Sequence, residues 1–183
     1  MDGFILEAAA RVLEREGPAR FNTNRVAEVA GISVGSLYQY YPNKAALLFR
    51  LHELESADTV ATVESLLCEG TASPRRRLRA AVRAFFETEA SEAPLREALG
   101  LARIHFRDSA EFTEIEKRAV DVIRRFLLEA RPERPGRCGF EARFVATVLG
   151  SVSESITRRG VRGRELERWA DQCSRMLCDF LGL

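Results

Sequence analysis

The sequence predicts an all-α protein of about nine helices, and three observations predict it. Apolar residues recur at the helical period through most of the chain. Val, Ile and Thr never alternate with polar residues over a strand's length, and Gly and Pro fall between the periodic segments. Hydrophobic residues make up 46% of the 183, enough to offset the entropy of ordering the chain, so disorder is excluded as a class.

The first helix is read from Gly3 to Glu16, with Ile5, Ala8, Ala9, Val12 and Leu13 on one face and Gly17-Pro18 stopping it. A short second helix, Asn24 to Ala30, buries Val26, Ala27 and Ala30 and is broken by Gly31. Ser33 caps a third, Val34 to Tyr40, which Pro42 ends. Asn43 can cap a fourth that starts at Lys44 and can continue, bent or broken, to Cys68. Ser73-Pro74 opens a fifth to Ser91 and Pro94 a sixth to Phe106. Asp108 and Glu111, at capping-box spacing, open a seventh to Ala130. After the loop Arg131 to Gly136 come Phe140 to Arg159 and Arg164 to Leu181, separated by Gly160 and Gly163.

Composition narrows the function classes. Lys plus Arg number 28 against 27 Asp plus Glu, a net charge of +1, which excludes a basic tail that coats nucleic acid indiscriminately. The longest apolar runs, such as Phe144 to Leu149, are far short of the ~20 residues of a membrane span. Asp2 and Glu7 precede any basic residue, the wrong charge order for a secretory signal, so a cytoplasmic protein with no membrane partner is expected. Cys68, Cys138, Cys173 and Cys178 form no C-x-x-C pair and stand with only two histidines, so neither a metal site nor a disulfide framework nor a cofactor is implied. No nucleophile-base pair and no phosphate-cradling glycine loop is present, and an enzyme is not expected. An all-helical enzyme remains as one alternative. A thiol or redox sensor using Cys173 and Cys178 is another, although their spacing of five puts them on different helix faces.

The chemistry lies near the N-terminus. Two short helices joined by Gly31-Ile32-Ser33 have helix-turn-helix spacing, in which the second helix can enter a DNA major groove. The same spacing also fits an ordinary helical hairpin. Composition separates them: no Asp or Glu occurs from Val29 through His52, while residues 20 to 50 carry Arg20, Arg25, Lys44 and Arg50 against Glu28 alone. The second helix offers Ser36, Tyr38, Gln39 and Tyr40, hydroxyls and an amide instead of the usual solvating charges. Gly35, which costs ~1 kcal/mol relative to Ala inside a helix, points to a close approach by another molecule.

The run FNTNRVAEVAGISVGSLYQYYPNKAALL, preceded by ILEAAARVLEREG, resembles the DNA-binding domain of the tetracycline-repressor (TetR) family of transcriptional regulators over about residues 4 to 50. The resemblance implies a helix-turn-helix domain over residues 1–48, with the motif at about 22–41, and an effector-binding and dimerisation domain over 49–183. It implies a homodimer on double-stranded operator DNA, released by a small-molecule effector. Thr23 matches a position that caps helix two and meets a phosphate. Val34, Gly35, Ser36 and Gln39 match base-facing positions, and Gln39 can pair with adenine through its amide. Tyr38, Tyr40 and Lys44 match phosphate contacts, whereas Leu37 and Tyr41 match core positions; Tyr41 stands where phenylalanine is commoner, and its hydroxyl could also find a phosphate. Many members carry a basic extension before the first helix, where this chain has Met1, Asp2 and Gly3, so contacts from such an arm are not expected.

In the larger half, helix nine carries Leu166, Ala170, Cys173, Leu177 and Phe180 as a stripe, and helix eight a row of small residues with Ala146, Gly150 and Ser153. Together they suit a dimer bundle as the resemblance implies, and equally an intramolecular core. For the effector, the resemblance points to helices four to seven, where Phe86, Leu99, His105, Phe106 and Phe126 are candidate lining residues. An aromatic lining with few charges favours an apolar or aromatic effector.

Overall fold

The computed structural model describes residues 2–69, 71–99 and 110–183. Among them are nine α-helices: α1 (Asp2–Glu16), α2 (Thr23–Ala30), α3 (Val34–Tyr40), α4 (Lys44–Cys68), α5 (Pro74–Ser91), α6 (Ala93–Leu99), α7 (Ala110–Ala130), α8 (Cys138–Arg158) and α9 (Gly163–Leu181). A 3-10 turn, Pro135–Arg137, leads into α8. No strand occurs among the described residues. The expected sixth helix beyond Leu99, and Asp108 of the expected capping box, lie outside the described residues.

Two compact units arise from the chain's contacts. The first comprises the described residues of Met1–Ser56 and Glu92–Thr113; the second, those of Ala57–Ser91 and Glu114–Leu183. The resemblance places the division after residue 48, whereas the contacts divide inside α4, between Ser56 and Ala57. A single uninterrupted α4 allows this, because no Pro or Gly punctuates Lys44–Cys68.

In the first unit α1 packs on α2. Ile5, Ala8, Ala9 and Val12, all at most 2% exposed, meet Phe21, Val26, Leu37, Leu47 and Leu48 in one apolar cluster that also takes Leu95 and Leu99 of α6. In the second unit α9 packs on α5, and α5 on α8, around Leu78, Val82, Phe86, Phe126, Val145 and Leu177. Two buried arginines, each paired with a carboxylate, brace this core. Arg77 donates to Glu129 at 2.7 Å and to the Leu67 carbonyl at 2.8 Å, with its guanidinium 5.3 Å from the Phe126 ring. Arg131 pairs with Glu141 and donates to the Leu181 carbonyl, which ties the end of α9 to the start of α8. Both arginines are nearly inaccessible to water, and Glu141 is buried with Arg131 whereas Glu129 is exposed, so removing the Glu141 carboxylate would leave a buried charge unpaired.

Candidate DNA-binding surface

The turn between α2 and α3 is built from local chemistry. Gly31 takes φ of 69°, left-handed backbone that glycine adopts without strain, and its N–H caps α2 on the Glu28 carbonyl. Ser33 then caps α3, its hydroxyl accepting from the Ser36 N–H at 3.0 Å. Asn43 does the same for α4 through the Ala46 N–H at 2.8 Å. The cap of α2 is Asn22, whose Oδ1 accepts from the Arg25 N–H at 2.9 Å. Thr23, expected at that position, is instead the first helical residue: Asn accepts the backbone proton as well as Thr does, and it precedes Thr23 by one.

Thr23 has a different partner. Its hydroxyl lies 3.1 Å from that of Tyr38, so two residues expected at phosphates join α2 to α3. Leu37 is fully buried and is the single buried residue within α3, the other six turning wholly or partly away from the core. Gly35, Tyr38, Gln39 and Tyr40 are exposed, Ser36 is half-buried with its hydroxyl 2.8 Å from that of Ser33, and Val34 packs half-buried on the first unit's core. The Gln39 amide has no partner among the described residues. A methyl group added at Gly35 would meet only Ser33 Oγ, at 3.7 Å, an ordinary contact. The protein's own packing therefore does not require glycine there.

The cations divide into two kinds. Lys44 donates to the Phe21 carbonyl at 2.9 Å with its ammonium 5.4 Å from the Phe21 ring; this holds the head group in place and leaves two of its three N–H donors available. Arg25 is clamped between Glu16 at 2.5 Å and Glu28 at 2.7 Å, a bridge from α1 to α2. Those two carboxylates outweigh its charge. Tyr41 is buried, and its hydroxyl donates to Asp2, a contact with no signal in the spacing of the sequence.

The other expected sites are redistributed. Phe86 and Phe126 are fully buried in the second unit's core, and Leu99 is buried in that of the first. His105 and Phe106 lie outside the described residues. Of the interface residues, Leu166, Ala170, Cys173 and Leu177 are at most 7% exposed within the single chain, so α9 spends that stripe on its own core. Ser153 is buried too, donating to Glu89 on α5 at 2.9 Å, while Ala146 and Gly150 are half-buried. Only Phe180 of the stripe is exposed, and it joins a cluster the stripe did not include: its ring is 4.8 Å from Phe144, which is 6.2 Å from Phe140. A phenylalanine pair at i and i+4, off the buried edge of α8, is the signal that could have shown this face.

Comparison with known proteins agrees with this architecture. Residues 5–51, spanning α1 to the first turns of α4, match the family described as bacterial regulatory proteins, tetR family. An uncharacterized HTH-type transcriptional regulator of Mycobacterium tuberculosis is 28% identical, over 88% of this chain and 91% of its own. A protein of unknown function from a Rhodococcus species superposes with a TM-score of 0.74 at 18% identity, covering 100% of this chain and 95% of that one. Thermus thermophilus FadR, a TetR-family repressor solved with lauroyl-CoA, gives 0.66 at 23% identity, over 97% and 93%. The helix-turn-helix geometry and the matched segment lead to one conclusion: residues 5–51 form a DNA-binding domain of the tetR type, in a chain similar along most of its length to an HTH-type transcriptional regulator.

Proposed function

We propose that the protein is a cytoplasmic, ligand-responsive repressor that binds a palindromic operator as a homodimer and leaves it when an effector binds. One observation carries the DNA-reading part: α3 exposes Gly35 and Gln39, and neither the glycine nor the unpartnered amide serves the protein's own packing. Gln39 reads base edges, Gly35 lets the backbone approach, and Lys44, held in place by Phe21, meets the phosphates with Tyr40. Thr23 and Tyr38 present one joined pair of hydroxyls to the backbone.

Two copies are needed to read two half-sites about one helical turn apart. The exposed cluster of Phe140, Phe144 and Phe180, with Met176 one turn before Phe180, supports pairing through α8 and α9. The effector is read as an apolar molecule with one polar group, because the second unit's interior is apolar apart from pairs such as Ser153 and Glu89. A twelve-carbon fatty acid, which carries the acyl chain of the lauroyl-CoA held by Thermus thermophilus FadR and a single carboxylate, is a reasonable first compound to try. No cofactor or metal enters this mechanism, and no catalytic step. A thiol switch is disfavoured: burial pushes the Cys173 and Cys178 thiols up, away from the reactive thiolate.

The experiment is a selection of duplexes from a randomised pool, followed by anisotropy titrations at rising salt. Enrichment of a palindrome, bound with an affinity that falls steeply with salt, is the expected result. No enrichment, together with no duplex binding at low salt, would overturn it.

A further inference from the structure

α3 has only seven residues, and a helix that short with one buried anchor, Leu37, can swivel about it. Tyr41, its C-terminal cap, lies four residues on and so one turn along the same face. It is 6% exposed and gives a second anchor at the end of the helix nearest Gln39. Its N–H donates to the Leu37 carbonyl at 2.9 Å, and its hydroxyl donates to the carboxylate of Asp2, in the first turn of α1.

We propose that Asp2 is a positioning residue for DNA recognition: by taking the Tyr41 hydroxyl, it fixes the tilt of α3 and thereby the register of Gln39 on the bases. It touches no DNA itself. A neighbouring pair on α4, Arg50 donating to Glu53 at 3.3 Å, supplies the other charges that act on the phenol. Burial first, then the bond to Asp2, raise the Tyr41 pKa above the ordinary phenol range, so the hydroxyl stays a donor across physiological pH. The reading departs from the residue's chemistry in isolation, which would offer the hydroxyl to a phosphate. It departs also from simple electrostatics, by which an acid in a DNA-binding unit only weakens binding.

The inference rests on the DNA-reading role of α3, and the test separates the two. Wild type, Asp2→Ala, Asp2→Asn, Tyr41→Phe and the double variant Asp2→Ala/Tyr41→Phe are titrated against the duplex selected by wild type and against poly(dI-dC), with melting curves as a control on folding. Failure of wild type to prefer its selected duplex refutes the DNA-reading role and the inference with it. Given that preference, Asp2→Ala and Tyr41→Phe are each expected to lose about fivefold to tenfold in affinity for the selected duplex, the scale of one ordinary hydrogen bond, with poly(dI-dC) unchanged. The double variant is expected to be no worse than either single one, and Asp2→Asn, which keeps an acceptor oxygen, to recover most of the loss. Tighter or unchanged binding by Asp2→Ala, additive losses, or a Tyr41→Phe loss shared by both DNAs would each overturn the proposal.

Discussion

The two helices that promise most from their sequence, α3 and α9, reveal their roles in opposite ways. α3 buries one side chain of seven; α9 buries Leu166, Ala170, Cys173, Ser174, Leu177, Cys178 and Leu181. On α3 the informative residues are those with no reason to be there for folding: a glycine whose site has room for a methyl group and an amide with no partner among the described residues. On α9 every residue of the conspicuous stripe except Phe180 serves the fold, and the surface left for a partner is a smaller aromatic group beside it. An apolar stripe records that something packs on it, while a polar or glycine position that folding does not need records what the surface meets.

Leu177→Ala breaks the comparison at its most buried point. It should cost about 3 kcal/mol of stability, as a void at a fully buried leucine does, and reduce DNA binding only through the fraction unfolded. Urea unfolding checks it; a folded Leu177→Ala monomer of undiminished stability would return α9 to the interface. Phe144→Ser is the converse test, expected to leave melting nearly unchanged and to weaken self-association at least about tenfold in sedimentation experiments. Gln39→Ala should lose ~1–3 kcal/mol of discrimination between the selected duplex and one altered at a single contacted base, with the folded state untouched. Gly35→Ala should raise stability by up to about 1 kcal/mol, since the added methyl finds only an ordinary contact, yet weaken operator binding. Opposite signs in the two assays are its signature, and equal losses in both would mean the glycine is structural.

The smallest effect concerns the second unit alone. Guanidinium groups of Arg125 and Arg118 hold the Glu64 carboxyl below the usual carboxylate range. A depressed folded pKa means the contribution is present above the unfolded pKa and fades as pH falls through the folded one. Glu64→Gln should therefore narrow the gap between melting temperatures at neutral pH and at a pH below the ordinary glutamate range, slightly, because solvent screens the pair.

Much of this was legible beforehand, for reasons that can be named. Helix ends are clear where one residue decides them, as at Gly31, Ser33, Pro42 and Asn43, whereas the sequence leaves a bend or break in α4 open and the structure has one helix there. The sequence does not single out Asn22 because two adjacent residues, Asn and Thr, can both cap, and only backbone geometry chooses. The Asp2–Tyr41 contact joins residues 39 apart and leaves no periodic trace. Phe86, Phe126 and Leu99 show the same ambiguity as α9, since aromatic or aliphatic character at helical spacing fits a core and a pocket alike.

The most direct measurement is a hydroxyl-radical footprint of the protein on its selected duplex, for wild type and Gly35→Ala. Two protected segments related by a two-fold axis and separated by about one helical turn, both weakened in the variant, are the expected result. A single protected segment, or a footprint indifferent to Gly35, would contradict a dimer that reads DNA through α3.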